Sequence, residues 1–421
     1  MEVEEQPFSE LLSEVIDNRG KTCPTADDGI PLIATNCIRN ELLYPTYDKV
    51  RFVSQDTYSN WFRGHPEPGD IIFVNKATPG RVCLVPDPVD FCIAQDMVAC
   101  RANPKRVYPN YLFAVLRSQA VQEKIGQMHV GTLIPHFKKG DFDKLLLPIP
   151  SRKDQKFIGD SYFTLSAKID SNRRMNATLE AMARALFQSW FVDFDPVRVK
   201  LDGRPPAGLD QATAALFPDS FQDSPVGHIP TGWRAAHLGD VVSVFDSKRV
   251  PLSGREREQR KGPYPYHGAA SAMDYVDDYL FDGIYALMGE DGSVINDDGT
   301  PVMQYVWGKF WVNNHAHVLR GKNGICTEHL LLHLKDSSIA AFVTGAVQPK
   351  LNQGNMNRIP FILPTPEISE AFAKTIEPLF DQIRANTDQS RTLATLRDTL
   401  LPKLLSGELS VAALDEAVSI V

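Results

Sequence analysis

The chain lacks the features that most quickly assign a function. No apolar run approaches the roughly 20 residues needed to span a bilayer, and the opening MEVEEQPFSE is acidic, the opposite of a signal peptide. A soluble, cytoplasmic protein with no membrane partner is expected. The six cysteines form no C-x-x-C pair, and five of them (Cys23, Cys37, Cys83, Cys92, Cys100) precede the lone Cys326, so reduced core residues are expected rather than a disulfide framework. There is no G-x-x-x-x-G-K-[ST] phosphate loop, no G-x-S-x-G elbow and no H-E-x-x-H helix. An ATP-driven motor is therefore not encoded. The Asn/Asp-Pro-Pro-aromatic tetrapeptide with which amino-methyltransferases grip a target base is missing too, so a methyl-transfer site would have to be on another chain. Positive charge is short: a net charge of -8 argues against a protein that coats nucleic acid unaided, while leaving room for local basic patches.

What the sequence does contain is a duplication. GTLIPHFKKGDF at 131 to 142 and GAVQPKLNQGNM at 345 to 356 share their punctuation, and Gly131, Pro135, Gly140 and Pro150 match Gly345, Pro349, Gly354 and Pro364 at one offset, since 345 less 131 is 214. The register continues through Leu165 and Leu379, Ile169 and Ile383, Asn172 and Asn386, Leu179 and Leu393. A second anchor pairs Ile16-Asp17 with Phe245-Asp246 at a slightly different offset. The 421 residues, 43% of them hydrophobic, are thus two copies of one unit, with material for two or three cores.

Each copy begins with short apolar runs broken by Gly, Pro, Asp and Asn, such as DIIFVNKATPGRVCLV at 70 to 85 and YLFDGIYALMGEDGSV at 279 to 294, which read as strands and tight turns. Each ends in a long stripe at three- and four-residue steps. The first is Ile158, Tyr162, Leu165, Ile169, Asn172, Leu179, Met182, Leu186 and Trp190; the second is Phe372, Ile376, Leu379, Ile383, Asn386, Leu393, Leu396, Leu400 and Leu404. The stripes are expected to pair as an antiparallel coiled coil, with Asn172 and Asn386 near the middle facing each other and setting register, the alternative being that each turns outward to solvent. Pro378 predicts a kink or a late start near Glu377, and Pro402 with Gly407 an end. The Pro-, Gly- and Asp-rich stretch 195 to 233 reads as a connector with one short helix around Leu209 to Leu216.

Candidate contact residues follow from the repeat. His136 and Lys138 correspond to Lys350 and Asn352, and divergent polar residues on a shared frame suit two readers of different DNA sequences, since Lys and Arg fit phosphates and guanine edges while Asn and Gln can grip adenine. A stretch at 247 to 268 carries six basic residues against two acidic ones, and its Lys248, Arg249, Tyr266 and His267 are the second group of candidates. Arg19 and Lys21, beside the upstream anchor, complete the set. The bland reading of all of these is a solvated loop. The pairs His315/His317 and His329/His333 lack a third ligand of clear spacing, so ordinary polar histidines are preferred to a metal site.

RMNATLEAMARALFQSWFVDFDPV at 174 to 197 resembles the central conserved region of specificity subunits of Type I restriction-modification systems. LRDTLLPKLLSGELSV at 396 to 411 resembles their carboxy-terminal conserved region, and GHIPTGWRAAHLGDV at 227 to 241 the usual opening of their second recognition domain. The resemblance implies an α+β fold with two similar globular target recognition domains separated by two long conserved helices packed as an antiparallel coiled coil. The boundaries expected are 1–152 for the first recognition domain, 153–194 for the central helix, 195–230 for the connector, 231–366 for the second domain and 367–421 for the last helix. It also implies a non-catalytic subunit, without a cofactor of its own, that reads a bipartite asymmetric site in double-stranded DNA and docks two adenine methyltransferase subunits and the restriction subunits. The first copy departs from the pattern by lacking the Ile-Pro-x-Gly-Trp opening, which predicts a short first strand or a different start. The alternative is a metal-dependent nuclease using Asp291, Asp297 or Asp298, against which Asp-Gly turns explain the same residues.

Overall fold

The computed structural model describes residues 3–18, 21–128, 135–345 and 347–411. The chain forms two compact units, one from residues 1–174 with 387–421, the other from 175–386.

In the first unit a four-stranded antiparallel sheet runs in the order Leu12–Asp17, Met97–Ala102, Ile71–Val74, Val82–Leu84. Successive side chains of a strand point to opposite faces, and all four residues of Ile71–Val74 are buried because both faces are covered. Ile71 and Phe73 pack with the helix Pro109–Arg117, whereas Ile72 and Val74 pack with Ile33 and Ile93 of a second, three-stranded sheet. The apolar run DIIFV is continuous for that reason.

The second unit repeats the plan with Val242–Val244, Ala316–Gly321, Tyr285–Gly289 and Met303–Val306 in the same spatial order. Ala286 and Met288 face the core containing helix Thr327–Asp336, while Tyr285 and Leu287 face Phe310 and Val312 of its second sheet. Each second sheet contains one parallel pair, Ile30–Ile33 with Cys92–Ile93 and Lys261–His267 with Lys309–Val312. The opening strands are of equal length: Glu4–Pro7 pairs with Leu146–Ile149 and Arg234–His237 with Pro360–Leu363, four residue pairs each. The first copy's strand is not short, because its partner strand supplies the same four-residue edge. The cysteines are free thiols, five of them buried.

Each stripe forms one long helix, Arg152–Phe187 and Pro366–Ser406. Each helix begins in one unit and ends in the other. Within the first unit, Ile158 and Tyr162 share a core with Leu401 and Leu404, Arg397 donates to the Ser166 hydroxyl at 3.3 Å, and Asn172 donates to Gln389 Oε1 at 2.9 Å. Within the second, Asn386 donates to Asn176 Oδ1 at 2.9 Å, Asn176 donates to the Ile383 carbonyl at 3.2 Å, and Phe187 meets Phe372. Numbers rise along one helix as they fall along the other, so the pairing is antiparallel. Both asparagines are buried, and each bonds across to the opposite helix within its own unit, as a polar residue in an apolar seam must.

Three expectations change. Met182 and Leu396 are about half exposed, and the seam runs instead through Ala183, Phe187 and Arg397, a shift of one residue that hydrophobicity alone does not reveal when a small Ala or the aliphatic part of an Arg fills the contact. The second helix starts at Pro366, not near Glu377, and passes through Pro378; Ile376 and Phe380, both buried, hold the helix on either side. The connector contains two short helices, Asp195–Leu201 and Gln211–Leu216, and then a hairpin of Phe221–Ser224 with Gly227–Pro230.

Phe187, Trp190, Phe191 and Phe194 are all buried where the first long helix gives way to a single π-helical turn, Gln188–Val192. Trp190 lies against Phe217 and Phe372 at centroid distances of 5.0 and 5.4 Å, and Phe194, left-handed at φ 55°, is held between Phe221 and Trp233. His329 completes this cluster at 4.4 Å from Phe191. Burial pushes its pKa down to about 3, and His333 beside it is pushed the same way.

Trp190→Ala is expected to destabilise the second unit by about 3 kcal/mol or more, measured by chemical denaturation; an unchanged midpoint would contradict the core assignment. His329 stays neutral when folded but protonates below about 6.5 when unfolded. Its contribution to stability is therefore complete above that pH and falls as pH drops towards 3, costing about 2 kcal/mol by pH 5. His329→Leu should flatten the loss of melting temperature between pH 7 and pH 5, and parallel curves for the two proteins would refute this.

Candidate nucleic-acid interface

The repeated loops dock in the same way on the same strand end. In the first unit Phe137 N donates to the Asn75 carbonyl at 2.8 Å, just past strand Ile71–Val74, and Lys76 forms an isolated antiparallel bridge with His136. In the second, Leu351 N donates to the Glu290 carbonyl at 3.0 Å, just past Tyr285–Gly289, and Asp291 bridges Lys350. The offset of 214 seen in the sequence thus holds in space: His136 lies where Lys350 does, and Phe137 where Leu351 does. Phe137 and Leu351 are fully buried plugs, so their neighbours turn outward. Lys138, Lys350 and Asn352 are exposed and His136 is half-buried. Lys350 lies 3.5 Å from Asp291, and Asn352 caps the short helix Gln353–Asn357 by accepting from Asn355 N at 2.8 Å. Gly345 has φ +87°, and a Cβ there would sit 2.4 Å from the Gln348 carbonyl oxygen, so this corner of the loop requires glycine. Its counterpart Gly131 lies outside the described residues.

Beside the second loop is an open cleft of about 360 Å³ whose polar lining includes Asp291, Asn313, His315 and Gln348, with Ser271 and Met273 on the opposite hairpin. Asp291 and Gln348 are joined by a 3.0 Å hydrogen bond. Sequence reasoning passed over Glu290 and Gln348 and weighed Asp291 only as a metal ligand; the available signal was that GED at 289 to 291 follows its strand as VNK at 74 to 76 follows its own.

The other candidates divide. Arg19 lies outside the described residues, and Lys21 is exposed. Lys248 is exposed, its ammonium 5.4 Å from the Phe245 ring. His267 is half-buried and bonds through Nδ1 to Gln304. Tyr266 presents almost no surface at 1% exposure, and its hydroxyl accepts from Leu252 N at 2.9 Å. It shapes the strand rather than touching a ligand. Arg249 is turned inward, donating to Glu290 at 2.6 Å and to the Ala316 carbonyl at 2.6 Å. The basic stretch is largely neutralised by the neighbouring strand: Arg257 and Lys261 pair with Asp274, and Arg260 with Asp277.

Arg249 belongs to a half-buried charge cluster built around the buried His317. His317 Nδ1 lies 2.5 Å from Asp246, whose other oxygen accepts from Val318 N, and Nε2 lies 2.7 Å from the Leu351 carbonyl. Both partners are acceptors, so the arrangement calls for a proton on each ring nitrogen, that is, for an imidazolium. Ligand atoms of Asp246, Glu290 and His317 fall within 4.8 Å of one another, but Arg249 and the imidazolium already balance the two carboxylates and both ring nitrogens are committed. The nuclease alternative fails on placement: among the described residues this is the one such three-residue group, and it contains neither Asp291, Asp297 nor Asp298. Asp298 instead accepts from Thr300 N and Oγ1 in a turn, and Asp291 pairs with Lys350.

The two units define a class of protein: a duplicated α+β domain with a polar loop at the same strand end of each copy, joined through two long antiparallel-pairing helices. The family described as Type I restriction modification DNA specificity domain matches residues 16–181 and again 230–394. The chain belongs to that family, with two copies of its domain. It is 25% identical to the Type I restriction enzyme HindI specificity subunit of Haemophilus influenzae, over 81% of this chain and 86% of that one. It is 24% identical to the MjaIX specificity subunit of Methanocaldococcus jannaschii, over 82% and 79%. Its fold matches the Type I restriction-modification S subunit of M. genitalium with a TM-score of 0.57 at 15% identity, covering 96% of both chains.

Arg249→Ala is expected to cost about 2 kcal/mol of stability by leaving the half-buried Glu290 carboxylate without its closest cation, read by urea denaturation of the second unit's transition. A change in DNA affinity with no change in stability would return Arg249 to the contact surface.

Proposed function

We propose that this chain is the non-catalytic specificity subunit of a Type I restriction-modification complex, and that each unit reads one half of a bipartite, asymmetric site in double-stranded DNA. The observation that carries this is the common docking of two loops that differ in what they display: His136 and Lys138 in one, Lys350 and Asn352 in the other. A fixed backbone with exchanged polar side chains is what two readers of unlike sequences require. Lys21 and Lys248 are proposed as accessory phosphate contacts, with Arg19 beside Lys21, and His267 as a contact from the neighbouring strand. We take the recognition domains as 1–152 and 231–366, the helices as 153–194 and 367–421, and the connector as 195–230.

The proposed partners are two adenine methyltransferase subunits, docked on the long helices, and restriction subunits recruited to the assembly. The chain needs no cofactor in this role, because methyl transfer and ATP-driven cleavage reside on those partners. Their own surfaces would supply part of the cationic clamp, which accommodates a net charge of -8 here. The site of action is the cytoplasm.

The isolated chain should neither methylate nor cut DNA, and modification should appear only on adding a methyltransferase subunit and S-adenosylmethionine; robust activity of the chain alone would overturn this. In that complex Lys350→Ala or Asn352→Ala should weaken recognition of one half-site about tenfold, while Lys138→Ala or His136→Ala should affect the other half. Equal loss at both halves would contradict one unit per half-site.

A further inference from the structure

We propose that His317 is the positioning residue of the second unit's recognition loop, holding the Leu351 carbonyl through Nε2 while Asp246 holds its Nδ1, and that this imidazolium replaces a neutral amide that does the same job in the first unit. The inference rests on the reading of these loops as DNA readers.

The comparison between the units carries it. In the first unit the carbonyl of Phe137, equivalent to Leu351, accepts from the Asn75 side chain at 3.0 Å, and Asn75 is equivalent to Glu290. The residue equivalent to His317 is Val98: Val98 pairs with Phe73 and Asp17, and His317 pairs with Met288, each two residues before the Asn75 or Glu290 position. The second unit therefore has a carboxylate where the first has the amide that catches the loop, and a histidine on the neighbouring strand bonds the same atom. The Asp17 of the first unit, equivalent to Asp246, instead lies 3.7 Å from Lys139 of the loop itself.

The groups around His317 favour its charged form. Burial alone lowers its pKa, but Asp246, the Leu351 carbonyl and Glu290 outweigh burial and the net shift is upward. Arg249, between Asp246 and Glu290, opposes the imidazolium but leaves one carboxylate for each cation. Leu351 sits directly between the exposed Lys350 and Asn352, so the height of its carbonyl sets where both side chains are displayed.

The test has three arms on the full chain. Nitrogen NMR of histidine-labelled native protein should show an imidazole with both ring nitrogens protonated at pH 7.5, lost in His317→Gln; no such imidazole in the native protein would overturn the proposal without any need for a folded variant. In hydrogen exchange, His317→Val should speed exchange across 350–356 about tenfold and leave 136–142 unchanged, and the double variant Glu290→Asn with His317→Val, which installs the first unit's arrangement, should restore protection. Unchanged exchange in the single variant, or no recovery in the double, would refute the latch even if the loops read DNA. Half-site selection in complex with the methyltransferase subunit then separates the two claims: His317→Val should relax one half-site only and the double variant recover it. Altered exchange with intact selectivity at both halves would sink the loop's reading role while leaving the latch in place.

Discussion

One backbone hydrogen bond recurs in both halves of the molecule and organises what surrounds it: Phe137 N to the Asn75 carbonyl, and Leu351 N to the Glu290 carbonyl. Each extends the most buried strand of its sheet by one contact from a segment far along the chain, and each drives a hydrophobic plug inward. With the plug fixed, alternation leaves the flanking residues facing solvent. The polar face of each loop is thus displayed by the same period-2 geometry that builds the core, and its side chains can change without altering the frame.

Much of this was legible because turns and plugs impose spacing. The constant offset of 214 between the loops reports a conserved backbone path, and the long stripes gave two helices and their antiparallel pairing. What was not legible depended on strand register. Arg257, Arg260 and Lys261 look like free cations until the hairpin partner Ala272–Val276 and the turn after it bring Asp274 and Asp277 beside them. Arg249 and Tyr266 carry polar groups that the interior consumes, and hydrophobicity cannot say which of two adjacent residues, Met182 or Ala183, faces a neighbouring helix. The histidine latch was invisible for a related reason: His317 and Leu351 are 34 residues apart, and their contact exists only once two segments converge on one strand end.

The helices impose a second constraint. The first unit's core contains Leu401 and Leu404 alongside Tyr111 and Phe113, so residues from the far end of the chain complete a domain begun near its start. The second unit is closed by Phe372, Ile376 and Phe380 in the same manner. Neither core is finished by its own globular segment alone, which couples the formation of each loop-bearing domain to the pairing of the helices.

The central claim is that two copies of one frame read two different sequences. Mapping methylated adenines across the genome of the source cell, with and without this gene, tests it most directly. The account predicts a gene-dependent motif made of two unlike specified segments flanking an unspecified spacer. A gene-dependent motif that is contiguous, or whose two halves are identical, would contradict it.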